Sequence, residues 1–402
     1  MVLRLLGFFA VLTVIVGGTH LFLYRRLVRD VFHDRRRRRL GAVVLALLAL
    51  VMLSAPVMLR VAPGPATDVL LYASYTWMGL WFLTFWILLV PEIARGVSAL
   101  VRRLRPGSDF ADEVPPSAAA PRDDVDTDRR LFLSRTVAGG AMLAAGGLGT
   151  YGLWRAYAPP VVSEVPIRLR GLPRALDGFS IVQLTDIHVG NLIERTFMDE
   201  LVGRANALRP DLVAITGDLV DGPVPHLGQA VAALGNLKAR YGRWFITGNH
   251  EYYSGDEAWV AFLESIGIPT LRNRHVQIGD AGASFDLIGV DDWSLRGGPR
   301  GYDLEKAVAG RDPERAGVLL AHQPANFRAA TEKGIGLQLS GHTHGGQLFP
   351  FTLLVGIQWE HRAGLYQHDD ASIYVSRGCG FWGPPMRVGA PPEIVKIVLT
   401  SA

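Results

Sequence analysis

Three long apolar runs open the chain, and the rhythm changes after about residue 155. Leu5 to Leu23 is almost entirely apolar, and Leu40 to Leu59 is interrupted only by Ser54 and Pro56. Val69 to Val90 carries Tyr72, Tyr75, Trp77, Trp81 and Trp86 among its aliphatic residues. Each run approaches the ~20 residues a helix needs to cross ~30 Å of hydrocarbon, so residues 1–105 are expected to form three transmembrane helices. The first run has no persuasive small-residue cleavage site, which favours a retained helix over a signal peptide. Residues 106–130 are rich in Pro, Ala and Asp without apolar periodicity and read as a linker. A milder Gly- and Ala-rich stretch follows, and residues 131–158 read as a fourth transmembrane helix.

From residue 159 to 402 the pattern alternates between short apolar strands and amphipathic helices, the signature of an α/β domain. Strands are expected at 179–184, 212–216 and 243–247, separated by helices over 194–208 and about 225–239. Further strands are expected at 284–290, 317–321, 337–340, 373–376 and 394–399. Strand after strand ends in an Asp, Asn or His. In an α/β sheet the carboxyl ends of the strands converge on one crevice, so these residues are expected to meet.

The segments concerned are Asp186-Ile187-His188, Gly217-Asp218-Leu219-Val220-Asp221, Gly248-Asn249-His250-Glu251, His322 and Gly341-His342-Thr343-His344. Singly, such residues suit helix caps and turns; in this arrangement they suit a metal centre. Oxygen and imidazole donors without sulfur fit Mn, Fe, Zn or Mg. Asp-x-His in an extended segment turns both side chains to one face, and His342 and His344 repeat the spacing. Two cations ~3.5–4 Å apart neutralise phosphoryl oxygens and provide a hydroxide at neutral pH, and a carboxylate must bridge them. Asp218 is the candidate bridge.

Composition adds a membrane to this picture. Hydrophobic residues make up 49% of the chain against 19% charged, and the apolar excess lies before residue 155. The formal charge of +4 does not point to nucleic acid, because the arginines flank apolar segments. Arg25, Arg26, Arg29 and Arg35 to Arg39 lie between the first two runs, and Arg95, Arg102, Arg103 and Arg105 follow the third. The intervening Val61 to Asp68 has no Lys or Arg. Basic segments face the cytoplasm, so the chain is expected to be a multi-pass membrane protein with an extracytoplasmic C-terminal domain. Arg129-Arg130-Leu131-Phe132-Leu133 fits either a twin-arginine export signal in an internal position or a plain topology signal, and Ala156-Tyr157-Ala158 is a small-x-small motif. The single cysteine, Cys379, excludes an intrachain disulfide and a thiolate zinc cluster, and is expected to be a small buried residue.

The ordered set D-x-H, G-D-x-x-D, G-N-H-E, a later lone His and G-H-T-H resembles the calcineurin-like metallophosphoesterase superfamily, over roughly residues 165–400 and with most similarity to bacterial membrane-anchored or exported members. The resemblance implies a four-layer α-β-β-α sandwich holding two divalent ions. Asp186, His188 and His344 would hold the first ion, Asn249, His322 and His342 the second, and Asp218 both. His250 would stabilise the transition state or protonate the leaving oxygen without binding metal, and Asp221 would orient it.

The expected activity is hydrolysis of a phosphodiester or pyrophosphate by a metal-bridging hydroxide. Tethering at a bilayer makes a lipid-linked or envelope phosphoester the favoured substrate class. A non-catalytic membrane sensor is the alternative, and a broken ligand set would favour it; none is broken. A transporter is disfavoured because the spans lack paired intramembrane charges. Asp291-Asp292 reads as a turn or pocket wall, Arg387 as a possible phosphate contact, and His275, His361 and His368 as exposed residues.

Overall fold

A computed structural model describes residues 2–58, 64–104 and 123–402, which divide into two compact units, Met1–Thr150 and Tyr151–Ala402.

The first unit is helical. Helix α1 (Val2–Leu23) runs into a π-helical turn over Tyr24–Arg29 and is followed by α2 (Arg35–Met58) and α3 (Pro65–Leu104), with α4 (Asp123–Tyr157) beginning in this unit. Among the described residues, four segments are long and apolar enough to cross a membrane: Ala10–Arg29, Arg35–Ala55, Ala66–Leu104 and Asp128–Tyr157. Leu23, Val28, Leu45, Leu88 and Ala141 pack together, whereas Leu40, Leu47 and Leu50 face outward. Outward-facing leucines are what a helix in lipid presents. The buried imidazole of His20 accepts from Trp77 Nε1 at 3.1 Å. Helix α3 continues through Pro91 for 40 residues, about 60 Å at 1.5 Å per residue, beyond the expected end at Val90. The linker expectation is corrected at its end: Asp123 to Arg130 are helical, because no Pro or Gly interrupts the chain from Asp123 to Ala138. The rest of that segment, residues 106–122, lies outside the described residues, as does Leu59.

The second unit is a sandwich of two sheets. Its strands are β1 (Val161–Leu169), β2 (Ser180–Leu184), β3 (Leu212–Thr216), β4 (Arg243–Ile246), β5 (Arg274–Asp280), β6 (Ala283–Gly289), β7 (Gly317–Leu320), β8 (Leu337–Ser340), β9 (Gly364–His368), β10 (Ala371–Val375) and β11 (Glu393–Ser401). One sheet has the order β1-β11-β2-β3-β4 and the other β5-β6-β7-β8-β10-β9. The helices are α5 (Arg195–Ala207), α6 (Val224–Val231), α7 (Asn249–Ser254), α8 (Asp256–Ser265), α9 (Leu304–Val308), α10 (Phe327–Glu332) and α11 (Phe351–Gln358).

Burial explains the layering. Strands β2 and β3 are buried along their whole length, and neighbouring residues of each point to opposite faces. Ile181, Leu212 and Ala214 meet Leu287, Val318 and Leu337 between the sheets. Val182, Leu184, Val213 and Ile215 face Met198, Leu201, Trp259 and Leu263 of α5 and α8. Beyond the second sheet, Ile288 and Leu319 pack on Leu304, Ala307 and Ala330 of α9 and α10. The four-layer architecture expected from the resemblance is therefore present. The helix expected over 225–239 is α6 followed by a 3₁₀ turn over Ala232–Asn236, a segment that contains Gly235. Edge strand β1 was not anticipated, since Glu164 and Pro166 break its apolar pattern; Pro tolerates an edge because it owes the sheet no N–H.

Candidate metal centre

Strands β2, β3 and β4 run parallel in one sheet, and β7 and β8 run parallel in the other. Their carboxyl ends carry Asp186 and His188, Asp218, Asn249, His322, and His342 and His344 respectively, and the Asp and His side chains among them approach one another. Backbone bonds tie the loops together: Asp186 N–H donates to Gly217 O at 3.1 Å, His188 N–H to Asp218 O at 3.1 Å and Gly341 N–H to His322 O at 2.8 Å. Buried Gln183 spans the two sheets, its Nε2 donating to Thr216 Oγ1 and to Ser340 O, both at 2.9 Å.

Two groups of donors result: Asp186, His188 and His344, and Asp218, His322 and His342. In the first, His188 Nε2 and His344 Nε2 face each other at 3.0 Å, and His344 Nε2 is 3.4 Å from Asp186 Oδ1. In the second, His322 Nε2 is 3.0 Å from Asp218 Oδ2 and 3.3 Å from His342 Nδ1. Asp218 Oδ2 also lies 3.9 Å from His188 Nε2, so this carboxylate stands between the groups. His322 Nδ1 donates to Thr216 O at 2.8 Å, leaving Nε2 as the inward atom. Asn249 is buried, and its Oδ1 has no hydrogen-bond partner among the described residues. Imidazole nitrogens and carboxylate oxygens converging on common points are a set that divalent cations fit, and the amide oxygen of Asn249, on the loop after β4, is left without a donor.

The backbone here is strained. Asp186, His188, Asp218, His342 and His344 all have φ between 48° and 69°, in the left-handed region. Such conformations cost of order 1–3 kcal/mol each and persist where surrounding structure imposes them. The extended geometry expected for Asp-x-His is thereby corrected: left-handed turns aim Asp186 and His188 together, and His342 and His344 enter different groups. Gly217 has φ +87°, and a Cβ there would lie 2.6 Å from Gly248 N and 2.9 Å from His322 Nδ1. Only glycine lets these loops approach so closely.

Charge follows burial and proximity. Burial alone would lower His322, but Asp218 outweighs it and raises the imidazole well above its usual range. Burial, with His322 nearby, holds His342 down to about 3. Burial raises Asp186. His250 Nδ1 is 2.6 Å from Asp221 Oδ1, which also accepts from His188 Nδ1 at 2.9 Å. Burial works against His250, yet the Asp221 bond and the Asp218 charge lift it to about 9. Burial would raise Asp221, but His188 and His250 bring it to about 2.

Several features escaped the sequence reading. Fully buried Glu251 accepts from Gly248 N at 2.6 Å, Asp218 N at 3.0 Å and Leu219 N at 2.8 Å, clamping two donor-bearing loops. Its position in G-N-H-E was the only available signal. Trp382 and Tyr253 stand edge-on to His250, with ring centroids at 5.7 and 5.4 Å, and Trp359 stands edge-on to His342 at 5.2 Å.

Arg387 is not at a phosphate position: it is fully buried, donating to the carbonyls of Gly380, His344 and Ala390 and to His344 Nδ1 at 2.9 Å. Its guanidinium supports the His344 loop from below. His361, expected to be exposed, is buried against Phe327 and Tyr366. His275 is partly buried and bonded to Ala307 O at 2.8 Å. Asp291 and Asp292 are internal acceptors, for Arg272 and Gln323 respectively. Cys379 is buried, as expected.

Residues 179–346 match the model of the calcineurin-like phosphoesterase family. A transmembrane protein with metallophosphoesterase domain from Danio rerio is 41% identical over 272 residues, covering 65% of this chain and 62% of that protein. A metallophosphoesterase of Helicobacter pylori is 39% identical over 67% of this chain and 72% of its own length. The metallophosphoesterase YkuE of Bacillus subtilis is 32% identical over 68% of this chain and 98% of its own. The chain spans less than two thirds of the length of the Danio rerio and Bos taurus relatives, at 62% and 65%. On these similarities, and on the donor groups gathered at the strand ends, the chain belongs to the calcineurin-like phosphoesterase family.

Proposed function

We propose that this protein is a membrane-anchored, metal-dependent phosphoesterase acting on phosphodiester or pyrophosphate bonds, with a lipid-linked phosphoester as its substrate class. Two divalent ions fit the donor set. Asp186, His188 and His344 would hold one, Asn249, His322 and His342 the other, and Asp218 both. When bound, such ions neutralise phosphoryl oxygens and bring the pKa of water near neutrality. The observation that carries this reading is the pair of Asp/His groups, with imidazole nitrogens turned toward one another at 3.0 and 3.3 Å and Asp218 between them, and the orphaned Asn249 Oδ1 supports it.

The remaining chemistry belongs to His250. With Nδ1–H donated to Asp221, its Nε2 faces inward, 4.0 Å from Asp218 Oδ2. From there it can donate a hydrogen bond to a phosphoryl oxygen or a proton to the leaving oxygen. Asp221 fixes the tautomer and the ring plane. Trp382 and Tyr253 stand edge-on to the His250 ring, and Trp359 stands edge-on to the His342 ring.

Four apolar helices support membrane anchoring, and the arginine distribution favours an extracytoplasmic C-terminal unit. The test is hydrolysis of bis-p-nitrophenyl phosphate with Mn²⁺, comparing the parent with His250→Ala and Asp218→Ala. Turnover in the parent and its loss in both variants supports the enzyme. An inert parent with Mn²⁺, Fe²⁺, Zn²⁺ and Mg²⁺ returns the reading to a ligand-binding sensor. For topology, a C-terminal alkaline phosphatase fusion should be active and a C-terminal green fluorescent protein fusion dark; the reverse pattern puts the domain in the cytoplasm.

A further inference from the structure

Helix α11 is mostly apolar, with Thr352 and Gln358 its polar residues. Val355 is buried, while Phe351, Leu353 and Ile357 are 45%, 58% and 83% exposed. Phe349 just before it is 50% exposed, and Trp382 is 55% exposed. So many large apolar side chains exposed in one short stretch mark a surface that something apolar covers.

Hydrogen bonds join the start of this run to Trp382 and Val388, and the whole is termed the ledge. Leu348 bridges to Val388 and Gly389, and Phe349 N–H donates to Val388 O at 2.8 Å. The Gln347 amide accepts from Trp382 N at 3.0 Å and donates to Trp382 O at 2.9 Å. The ledge borders the metal centre, since Trp382 is edge-on to His250 and Trp359, at the end of α11, is edge-on to His342.

The ledge is also built against the last two turns of α4. Arg387 N–H donates to Gly152 O at 2.9 Å, and a Cβ at Gly152 would meet Val388 Cγ2 at 2.8 Å and Met386 Cβ at 3.2 Å. The Tyr157 ring stands edge-on to Phe381 at 5.2 Å. Those same turns expose Tyr151 and Trp154, 49% and 64% accessible, with ring centroids 5.9 Å apart. Exposed Tyr and Trp at the end of a membrane-long helix mark the headgroup layer. Residues 158–160 alone separate α4 from β1, so the chain itself holds this part of the domain at that depth.

We infer that the ledge of Phe349, Phe351, Leu353, Ile357 and Trp382 is a bilayer-docking surface, seated in the interfacial layer where α4 leaves the hydrocarbon. The metal centre then opens onto the headgroup plane and takes its phosphoester from a membrane lipid. This rests on, and narrows, the lipid-linked reading above. The occupant is the bilayer because the tether presents it at the ledge without a further partner, and aliphatic tips beside aromatic rings suit acyl chains and glycerol backbones.

The test uses the full chain in phospholipid vesicles. Cys379 is the sole cysteine and is buried, so Ile357→Cys gives one accessible thiol for a polarity-sensitive fluorophore. Blue-shifted emission, quenched by nitroxide lipids and protected from aqueous iodide, is expected. Water-like emission quenched by iodide overturns the inference. A second variant, Leu353→Asp with Ile357→Asp, should hydrolyse bis-p-nitrophenyl phosphate like the parent but lose about tenfold on a phosphodiester lipid presented in vesicles. Equal loss or no loss on both substrates overturns docking. A parent inert toward both substrates defeats the phosphoesterase reading instead, and the fluorophore still decides docking.

Discussion

Asp221 Oδ1 lies 2.6 Å from His250 Nδ1, and the same oxygen is 2.9 Å from His188 Nδ1. One carboxylate oxygen thus orients a ring from each of two loops, one in the donor group of Asp186, His188 and His344 and one beside it.

The first prediction follows from that shared oxygen. Asp221→Asn offers a weaker acceptor and frees both rings, so kcat on a soluble diester should fall roughly tenfold to a hundredfold. His250→Ala should fall further, by about a hundredfold or more, while leaving metal content unchanged. Steady-state kinetics with metal analysis separates the two, and loss of metal in His250→Ala would make it a ligand.

Asn249 gives a prediction with an unusual sign. Its Oδ1 is buried without a donor, so Asn249→Ala should not destabilise the metal-free protein. It should shrink the thermal stabilisation that added Mn²⁺ produces, which for one ion at a hundred times its Kd is about 2.7 kcal/mol. Thermal unfolding with and without chelator measures both effects. A large loss in the metal-free state would show that Asn249 serves the fold.

Glu251 is expected to matter for folding and catalysis together. Glu251→Ala leaves three buried N–H groups unpaired, each costing about 1–3 kcal/mol. The midpoint of thermal unfolding should drop strongly and Mn²⁺ retention should fall with it, since the clamp fixes Asp218. Glu251→Gln keeps an acceptor and should lose less. Equal stability of Glu251→Ala and the parent would remove the clamp.

Cys379 supplies a chemical check on the fold. Burial pushes its thiol up to about 12, and its Sγ donates to Glu393 O at 3.1 Å. Burial leaves little thiolate at pH 8 and shields the sulfur, so iodoacetamide should modify the native protein only after unfolding. Rapid native alkylation, read by mass spectrometry, would show that the segment carrying Gly380 and Arg387 opens.

Much of the local architecture is legible along the chain. Apolar runs of membrane length, and buried strands ending in Asp, Asn or His, are signals of period and position, which neighbouring residues suffice to express. Strands β2, β3, β7 and β8 fall within a residue of their expected limits, because runs such as Leu-Val-Ala-Ile-Thr have one stable use in a layered fold. Edge elements were harder: β1 carries Glu164 and Pro166, and its place is set by β11, more than 220 residues away.

What the sequence by itself determined is which donors stand at strand ends and which segments are apolar enough for lipid. Tertiary structure alone decided how those donors are aimed. The left-handed turns at Asp186, His188, Asp218, His342 and His344 are locally unfavourable, and they exist because loops from two sheets hold them there. Glu251 beneath Asp218, Arg387 beneath His344 and the ledge against α4 likewise depend on contacts between distant segments. Short-range patterning records the preferences of a residue and its neighbours; convergence requires the energy of the whole packed domain.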